Sequence, residues 1–293
     1  MHAEEPLQPG CLYVIATPIG NLGDLSPRAA SLLARVDAIC AEDTRTTGQL
    51  LTQFGISRPL MALHDHNEIR VSAKLVADLI AGKSLALVSD AGTPLVSDPG
   101  YALVRAAREA GCEVRAVPGP CAVTAALSIA GIATDEFTFV GFLPAKPSAR
   151  RARLQGLAAE PRTLVFYEAP HRIVECAEDL ATLMGADRRV CLCRELTKRF
   201  EQSVWLPASE LATWLLADDN HRRGEFVLIV QGAPASESAP TIAPEHALRL
   251  LLKELSPSRA ARVAAELTGV KRKELYELAL RLSDDPLHKV DGD

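Results

Sequence analysis

The stretch from Leu85 to Gly100 carries the strongest chemical signal, because an apolar strand pattern runs directly into a turn-rich loop and then a helix start. Gly92 lets a ligand approach the backbone closely, since it has no Cβ. Asp98 and Pro99 are expected to cap the helix that follows from Tyr101. Open α/β sheets bind ligands at rigid loops on the carboxyl ends of their strands, so we predict a ligand site here.

Histidine and cysteine pairs raise the question of a metal, but their surroundings argue against it. His64 and His66 flank Asp65 in a polar loop after a strand, where substrate contact or solvation is favoured over a metal. Cys191 and Cys193 share one face of a predicted strand, yet no second pair at zinc-ligand spacing accompanies them. The seven cysteines are therefore interpreted as reduced thiols, most of them in the core, and no metal site is predicted.

The first half of the chain alternates strand and helix patterns, as a wound α/β domain does. Helical segments are expected to end at glycines, and the first helix has Ser26 as its N-cap and Pro27 in its first turn. The pattern predicts a mostly parallel sheet within residues 1–132. Its strands are expected at Leu12–Ala16, Ala38–Ala41, Leu60–Leu63, Ser84–Ser89 and Glu113–Val117.

After Ile132 the pattern changes to that of a second α/β domain over residues 133–232, with a basic helix from Ser148. A ligand is expected in the cleft between the two domains, where such sites tend to form. The predicted fold class is therefore α/β, with two α/β domains followed by a small helical module. The strands of the second domain are expected at Phe137–Phe142, Thr163–Tyr167, Arg189–Cys193, Gln202–Leu206 and Phe226–Gln231.

The C-terminal part of the chain is predicted to be helical beyond a linker. Residues 233–244 are rich in Ala, Pro, Ser and Glu and have no apolar period, so they are interpreted as the linker. Within residues 245–293, Ser256 is expected to cap the second of three helices and Gly269 to separate it from the third. A helix, a glycine turn and a basic helix are typical of a helix-turn-helix module, although a bundle that packs on the core fits the composition as well. The helices are expected at Ala247–Leu255, Pro257–Leu267 and Lys271–Leu282.

The composition is that of a globular protein. The chain has 293 residues, of which 48% are hydrophobic, enough for two domains or more. No apolar run reaches the roughly 18 residues that a membrane span needs, and the N-terminal residues lack the basic start of a signal peptide. A cytoplasmic protein is expected.

Seven short motifs occur in order along the chain, and each is weak alone. Together they resemble the tetrapyrrole methylase superfamily, whose members transfer a methyl group from S-adenosylmethionine with a two-domain fold unlike that of the Rossmann methyltransferases. Within it, the chain is most similar to the branch that methylates the ribose 2′ oxygen of a cytidine in 16S ribosomal RNA. The motifs are Thr17–Leu25, Ala41–Arg45, Leu85–Gly100, Val117–Pro120, Phe139–Pro144, Phe166–Arg172 and Arg194–Lys198.

The resemblance implies S-adenosylmethionine as the cofactor. Small and apolar residues suit this ligand, because the adenine needs a flat apolar slot and the sulfonium cation needs no phosphate cradle. Tyr167 and Phe226 have an alternative interpretation as core aromatics, which for Phe226 is at least as favoured. The family's cofactor contacts fall on Pro18, Ile19, Gly92, Thr93, Val96, Cys121, Ala122, Tyr167, Cys193 and Phe226.

Methyl transfer to a ribose hydroxyl also needs an acceptor for the hydroxyl proton or a cation that lowers its pKa. We favour Asp43 and Asp90 as the base or its orienting group, and Arg45 as a contact to phosphate or hydroxyl. Helix capping by Asp43, pairing of Arg45 with a carboxylate and bracing of the loop by Asp90 stay open as alternatives. The candidates are the polar residues expected at the carboxyl ends of first-domain strands: Asp24, Glu42, Asp43, Arg45, His64, His66 and Asp90.

The resemblance further implies that the chain acts on the small ribosomal subunit as a homodimer, with no membrane partner. Its formal charge of −5 is unusual for an RNA enzyme, so local basic patches must attract the RNA. A tetrapyrrole or protein side chain as substrate stays an alternative, as does a non-catalytic RNA-binding protein on this scaffold. The candidate basic residues are Lys146, Arg150, Arg151, Arg153, Arg188, Arg189, Lys198, Arg199, Arg222, Arg223, Lys271, Arg272 and Lys273.

Overall fold

The structure, a computed structural model, describes residues 6–234 and 244–283. The chain divides into two compact units, Met1–Ala233 and Pro234–Asp293. The domain boundaries proposed above at residues 132, 232 and 244 stay predictions, and most of the predicted linker 233–244 lies outside the described residues. No helix in the described parts of the chain is long and apolar enough to cross a membrane.

The first sheet confirms the predicted parallel α/β arrangement. Every neighbouring pair of strands is parallel, in the order β3-β2-β4-β1-β5, so all carboxyl ends meet at the same edge. The loops that follow these strands are thereby brought together. Within the described residues, this sheet consists of β1 (Cys11–Ile15), β2 (Ala38–Ala41), β3 (Leu60–Ala62), β4 (Leu85–Val88) and β5 (Glu113–Val117).

Helices cover both faces of the first sheet. Alternate side chains of β1 enter opposite cores, as expected for a strand that is buried on both sides. Tyr13 packs in the cluster that contains Leu33, whereas Leu12 packs with Leu75 and Leu103. The covering helices are α1 (Pro27–Arg35), which carries Leu33, α2 (Thr44–Gln53), α3 (Glu68–Ile80), which carries Leu75, and α4 (Tyr101–Glu109), which carries Leu103.

The start of α4 is capped differently from the sequence prediction. The expected cap, Asp98, lies two residues before the N-cap position, which Gly100 occupies with φ +127°. The capping group is the buried carboxylate of Glu68, at the start of α3. Its Oε1 accepts hydrogen bonds from the amides of Gly100 at 3.1 Å, Ala102 at 2.5 Å and Leu103 at 3.2 Å. A negative charge also suits the partial positive charge of a helix N-terminus.

The second sheet is mixed, in the order β6-β7-β10-β8-β9. The first pair, β6 with β7, is parallel, and the other neighbouring pairs are antiparallel. All five strands predicted for this part of the chain are present, with ends shifted by at most one residue. They are β6 (Phe137–Phe142), β7 (Thr163–Glu168), β8 (Arg189–Arg194), β9 (Gln202–Pro207) and β10 (Phe226–Val230).

One helix joins the two sheets. Helix α5 (Ala122–Ile129) follows the last strand of the first sheet after a short turn, yet it packs on one face of the second sheet. Ile19 and Val96, from loops of the first sheet, pack against the same buried residues. We call these buried residues the inter-sheet cluster: Val123, Ala126, Leu127, Ala130, Val165, Cys191, Cys193, Leu196, Val227 and Ile229.

The other face of the second sheet is covered by α6 (Pro147–Leu157), α7 (Ile173–Met184) and α8 (Ala208–Ala217). Arg150 of α6 was expected in a basic surface patch, but its side chain is only 1% exposed. Its guanidinium donates to Asp179 at 2.7 Å and to Glu175 at 3.0 Å. The surface prediction for Arg150 is therefore wrong, because two acids of α7 pair with this arginine at the core.

The C-terminal unit is a separate helical unit. Among residues 244–283 it contains α9 (Pro244–Leu251), α10 (Pro257–Thr268) and α11 (Arg272–Ser283). The three helices bury alanine and leucine side chains against one another, among them Leu248, Ala261 and Leu275. The predicted order of helix, glycine turn and basic helix is confirmed.

Three further predicted caps can be compared with the structure. Ser26 caps α1, because its hydroxyl accepts from the amide of Ala29 at 3.1 Å. Gly269 ends α10 in the left-handed conformation, with φ +70°. Ser256 occupies the N-cap position of α10, but its side chain makes no cap hydrogen bond, so that part of the prediction is wrong.

Replacement of Glu68 by alanine should lower the free energy of unfolding by roughly 2 kcal/mol or more, because three amides at the start of α4 lose their acceptor. Glu68→Gln keeps an acceptor oxygen without the negative charge, so a smaller loss is expected. Urea denaturation of both variants and the parent measures the difference. A Glu68→Ala variant as stable as the parent would show that the cap is unimportant.

Candidate functional site

A cavity of about 390 Å³ opens at the carboxyl edge of the first sheet, between that sheet and the second. Its size is within the range of small-molecule sites. Loops that follow β1, β2, β4 and β5 form one side, and the other side comes from the ends of β6, β7 and β10 with the turn after β8. The cleft that the sequence predicted between the two halves of the chain is therefore present.

The ten residues predicted to contact a cofactor are all described, and eight of them line this cavity. Pro18 precedes the lining residue Ile19 but is not part of the wall, and Cys193 is fully buried in the inter-sheet cluster. Phe226 is 2% exposed and packs in the core on the far side of the sheet, in agreement with its alternative interpretation as a core aromatic. The eight are Ile19, Gly92, Thr93, Val96, Cys121, Ala122, Tyr167 and Phe226.

Hydrogen bonds fix the loops of the first sheet to one another. The amide of Thr17 donates to the carbonyl of Gly92 at 2.8 Å, and the amide of Gly92 donates back at 3.0 Å. The hydroxyl of Thr93 donates to the carbonyl of Pro120 at 3.0 Å. Gly92 has φ +85°, and a Cβ at this position would lie 3.3 Å from a methyl group of Ile19. Only glycine satisfies this close, left-handed turn without strain.

Three aromatic rings meet beside the cavity. Tyr167 makes edge-to-face contacts with Phe139, at 5.1 Å between ring centroids, and with Phe142, at 5.5 Å. Phe139 and Phe142 share a face of β6 only because the strand register shifts between Phe139 and Gly141, which leaves Val140 as an extra residue. Burial raises the pKa of the Tyr167 hydroxyl, and nearby Cys121 and Asp98 raise it further.

Three carboxylates line the cavity on the side of the first sheet: Glu42, Asp90 and Asp98. Burial raises the pKa of Asp98 to about 6 despite a hydrogen bond with Ser89, and the charges of Glu42, Asp90 and Asp65 add to the rise. Burial also raises the pKa of Glu42, with Asp90 as the next cause. Two acids here are therefore shifted towards neutral pH, which is typical of groups that exchange protons at functional sites.

Asp43 and Arg45 do not line the cavity, although the sequence placed them among the catalytic candidates. Asp43 is the N-cap of α2 and accepts from the amide of Arg45 at 2.7 Å, and the two side chains form an ion pair at 2.8 Å. These hydrogen bonds lower the pKa of Asp43 to about 2. Asp90 both lines the cavity and braces this turn, since its Oδ1 accepts from the amide of Asp43 at 3.0 Å.

Several lining residues were missed as ligand contacts. Ser97, Phe142, Glu168, Ala169, Pro170 and Leu196 lie within motifs that the sequence singled out, but nothing in the motifs showed which side chains would face a ligand. Asp98 was interpreted only as a cap. Glu225 directly precedes β10 and Val227 is its second residue, and both lie outside every motif, so neither carried a signal.

Metal ligation has no geometric support in residues 6–234 and 244–283. No group of three or more His, Cys, Asp or Glu side chains there could hold an ion. The rings of His64 and His66 lie edge to face with their centroids 6.0 Å apart. The carboxylates of the cavity have the chemistry to accept protons and to contact cationic groups.

The fold and the cavity together define a two-sheet α/β protein with a cavity of small-molecule size between the sheets. The family model described as "Tetrapyrrole (Corrin/Porphyrin) Methylases" matches residues 11–212, and the chain belongs to this family. A second model, described as "RsmI C-terminal HTH domain", matches residues 238–283, which include the helices of the C-terminal unit. The chain therefore combines a methylase domain with a helix-turn-helix domain.

Several relatives that share one name with each other are similar to nearly the whole of this chain. "Ribosomal RNA small subunit methyltransferase I" of Xylella fastidiosa strain Temecula1 is 58% identical over 268 residues, which are 92% of this chain and 98% of the relative. The protein of that name from Escherichia coli O157:H7 is 51% identical over 271 residues, 92% and 95% of the two chains. The solved structure of the methyltransferase CobJ shares the fold, with a TM-score of 0.57, 19% identity and coverage of 79% of this chain and 98% of that one.

Replacement of Gly92 by alanine should destabilise the protein by about 1–2 kcal/mol, because an L side chain is strained at this backbone conformation. Gly156 in α6 is the matched control, since a Cβ there would meet nothing within 4 Å. Gly156→Ala should stabilise the protein by up to about 1 kcal/mol. Urea denaturation distinguishes the two, and equal effects at both positions would contradict the assigned role of Gly92.

Proposed function

We propose that the chain transfers the methyl group of S-adenosylmethionine to the ribose 2′ oxygen of a cytidine in 16S ribosomal RNA. The observation that carries the proposal is the cavity itself, which combines an apolar and aromatic wall with carboxylates that can accept a proton. It occurs in a chain 58% identical to a protein named as a ribosomal RNA small subunit methyltransferase. A tetrapyrrole or protein substrate has no particular observation in its favour.

The residues of the cavity fit S-adenosylmethionine by their chemistry. Ile19, Val96, Ala122 and Tyr167 offer apolar surface for an adenine, and the bare backbone at Gly92 lets the ligand approach closely. The carboxylates of Glu42 and Asp90, on the side of the first sheet, suit the positive charges of a sulfonium and an ammonium group. When bound, this cofactor supplies an electrophilic methyl group.

Asp98 is the best-placed acceptor for the ribose proton, with Asp90 beside it. Asp98 lines the cavity, is partly buried and is ionised above a pH of about 6. An acceptor whose pKa lies just below the working pH is both ionised and basic enough to assist. Asp43 caps α2 and pairs with Arg45, and these structural roles account for both residues without a catalytic role. Asp90 also braces the turn at Asp43.

The helix-turn-helix domain is proposed to contact the ribosomal RNA of the small subunit. Lys271 directly precedes α11, and Arg272 and Lys273 are its first two residues. Contacts of these side chains with phosphate would compensate for the overall charge of −5. We further propose that the protein acts as a homodimer in the cytoplasm, where its ribosomal substrate is found.

Small ribosomal subunits from a strain that lacks the enzyme should accept one labelled methyl group each from S-adenosylmethionine, at a ribose 2′ oxygen. Ala122→Leu fills part of the cavity and should lower cofactor affinity by about tenfold or more in titration calorimetry. Thr124→Leu, on the exposed side of the same helix, is the control and should bind as the parent does. Mapping the labelled nucleotide identifies the substrate. Absence of cofactor binding, or label in protein or tetrapyrrole alone, would refute the proposal.

The single-turnover rate should rise with pH through about 6 and then level off, because only the ionised form of Asp98 accepts a proton. Asp98→Asn should lose at least about tenfold of that rate and the pH dependence with it, while cofactor affinity changes little. Asp187→Asn, at an exposed position remote from the cavity in sequence, serves as the control. If Asp98→Asn keeps the parent's pH profile, Asp98 is not the proton acceptor. A large loss of single-turnover rate in Asp43→Asn would instead support Asp43 as the base or its orienting group.

A further inference from the structure

The turn that follows β8 is held in an unusual backbone conformation. Glu195 has φ +51° and Thr197 has φ +66°, although neither is glycine and threonine is branched at Cβ. Such residues are rare in the left-handed region and persist only where their surroundings hold them. Between them, Leu196 is buried in the inter-sheet cluster and lines the cavity. The strained turn therefore sets the position of a cavity wall.

Polar contacts hold this turn to the start of β10. The amide of Glu195 donates to the carbonyl of Glu225 at 3.0 Å, and the Glu195 carboxylate accepts from the amide of Glu225 at the same distance. The amide of Thr197 donates to Glu201 at 2.5 Å. A Cβ at Gly224, which has φ +94°, would overlap the Glu195 side chain. Glycine at 224 therefore makes room for the carboxylate.

Lys198 extends this arrangement to the first sheet. Its ammonium group donates to Glu195 at 2.8 Å and to Glu225 at 2.7 Å. Its aliphatic chain passes so close to Gly20 that a Cβ there would overlap it. Gly20 directly follows Ile19, a cavity wall from the loop after β1. One side chain thus contacts both the loop that carries Ile19 and the turn that carries Leu196.

The ion pairs of Lys198 with Glu195 and Glu225 favour a structural role for this lysine over a contact with RNA. Burial alone would lower the pKa of Lys198, but its hydrogen bonds with Glu195 and Glu225 outweigh that effect and raise it. The same interaction helps to lower the pKa of Glu195 against the opposing effect of burial. Lys198 is about a quarter exposed and is already paired with two carboxylates, so little of its charge is available to a phosphate.

We propose that Lys198 is a positioning residue for the cofactor, which keeps Ile19 and Leu196 in the places that shape the cavity. This role rests on the proposed function, since the cavity is taken to bind S-adenosylmethionine. It replaces the expectation that Lys198 belongs to a basic patch for RNA. The lysine does not line the cavity and acts through the two walls that it holds.

Lys198→Ala should raise the dissociation constant for S-adenosylmethionine and its KM by about tenfold, because small displacements of a binding wall are costly. The turnover at saturating cofactor should stay within about threefold of the parent. Lys198→Met retains the packing over Gly20 without the charge, so its dissociation constant should lie between those of the parent and Lys198→Ala. Lys198→Arg retains the charge and should keep most of the parent's affinity. Lys83→Ala, which removes a surface lysine paired with Asp78 at 2.8 Å, is the matched control.

Calorimetry with the full chain, thermal melting and steady-state kinetics separate the possible outcomes. If Lys198→Ala melts near the parent and binds the cofactor equally well, the positioning role is refuted. If Lys198→Ala does not fold, a Lys198→Met variant with the parent's affinity and KM refutes it in the same way. If Lys198→Ala loses affinity for RNA and keeps the parent's affinity for the cofactor, Lys198 contacts RNA and the positioning role is refuted. Failure of the parent itself to bind S-adenosylmethionine would refute the proposed function instead.

Discussion

The packing of α5 against the second sheet is the constraint on which the cavity depends. A short turn connects this helix to the last strand of the first sheet. Its packing on the second sheet therefore fixes how the two sheets face each other. Burying each large apolar side chain of the inter-sheet cluster contributes about 1.5–3 kcal/mol. Ile19, Val96 and Leu196 belong to or pack on this cluster and also line the cavity. The same apolar contacts therefore stabilise the fold and form the binding wall.

Local patterns predicted the elements well, because strand and helix periods are properties of neighbouring residues. Every strand predicted between residues 12 and 231 is present, and Ser26 caps α1 as its sequence indicates. The failures involve partners distant in the chain. Glu68 reaches the amide of Gly100, 32 residues away, and Arg150 is neutralised by Asp179, 29 residues away. Neither pairing has a sequence signature, because only the tertiary fold brings the groups together.

The candidate site shows the same division between local and distant information. Short motifs located the loops after β1, β4 and β5 correctly, yet a motif does not say which of its side chains turns towards a ligand. Cys193 and Leu196 come from one segment, and only Leu196 reaches the cavity. The side chains of Asp43 and Arg45, two residues apart, form an ion pair, which the sequence allowed as an alternative. The raised pKa of Asp98 arises first from burial and then from the charges of Glu42, Asp90 and Asp65. Burial and the acids from other loops, Glu42 and Asp65, are contained in no local pattern.

The register shift in β6 compensates for the odd spacing of its two aromatic residues. Phe139 and Phe142 are three residues apart, and side chains alternate along a strand, so a regular strand would turn Phe142 away from Tyr167. Val140 lies outside the regular pairing, and this lets both rings face Tyr167. Loss of Val140 would leave the two rings two positions apart in a regular strand and still on one face. The aromatic wall therefore fixes the face that the two rings share, and β6 can meet that condition with an even spacing in a regular strand or with an odd spacing and one shift.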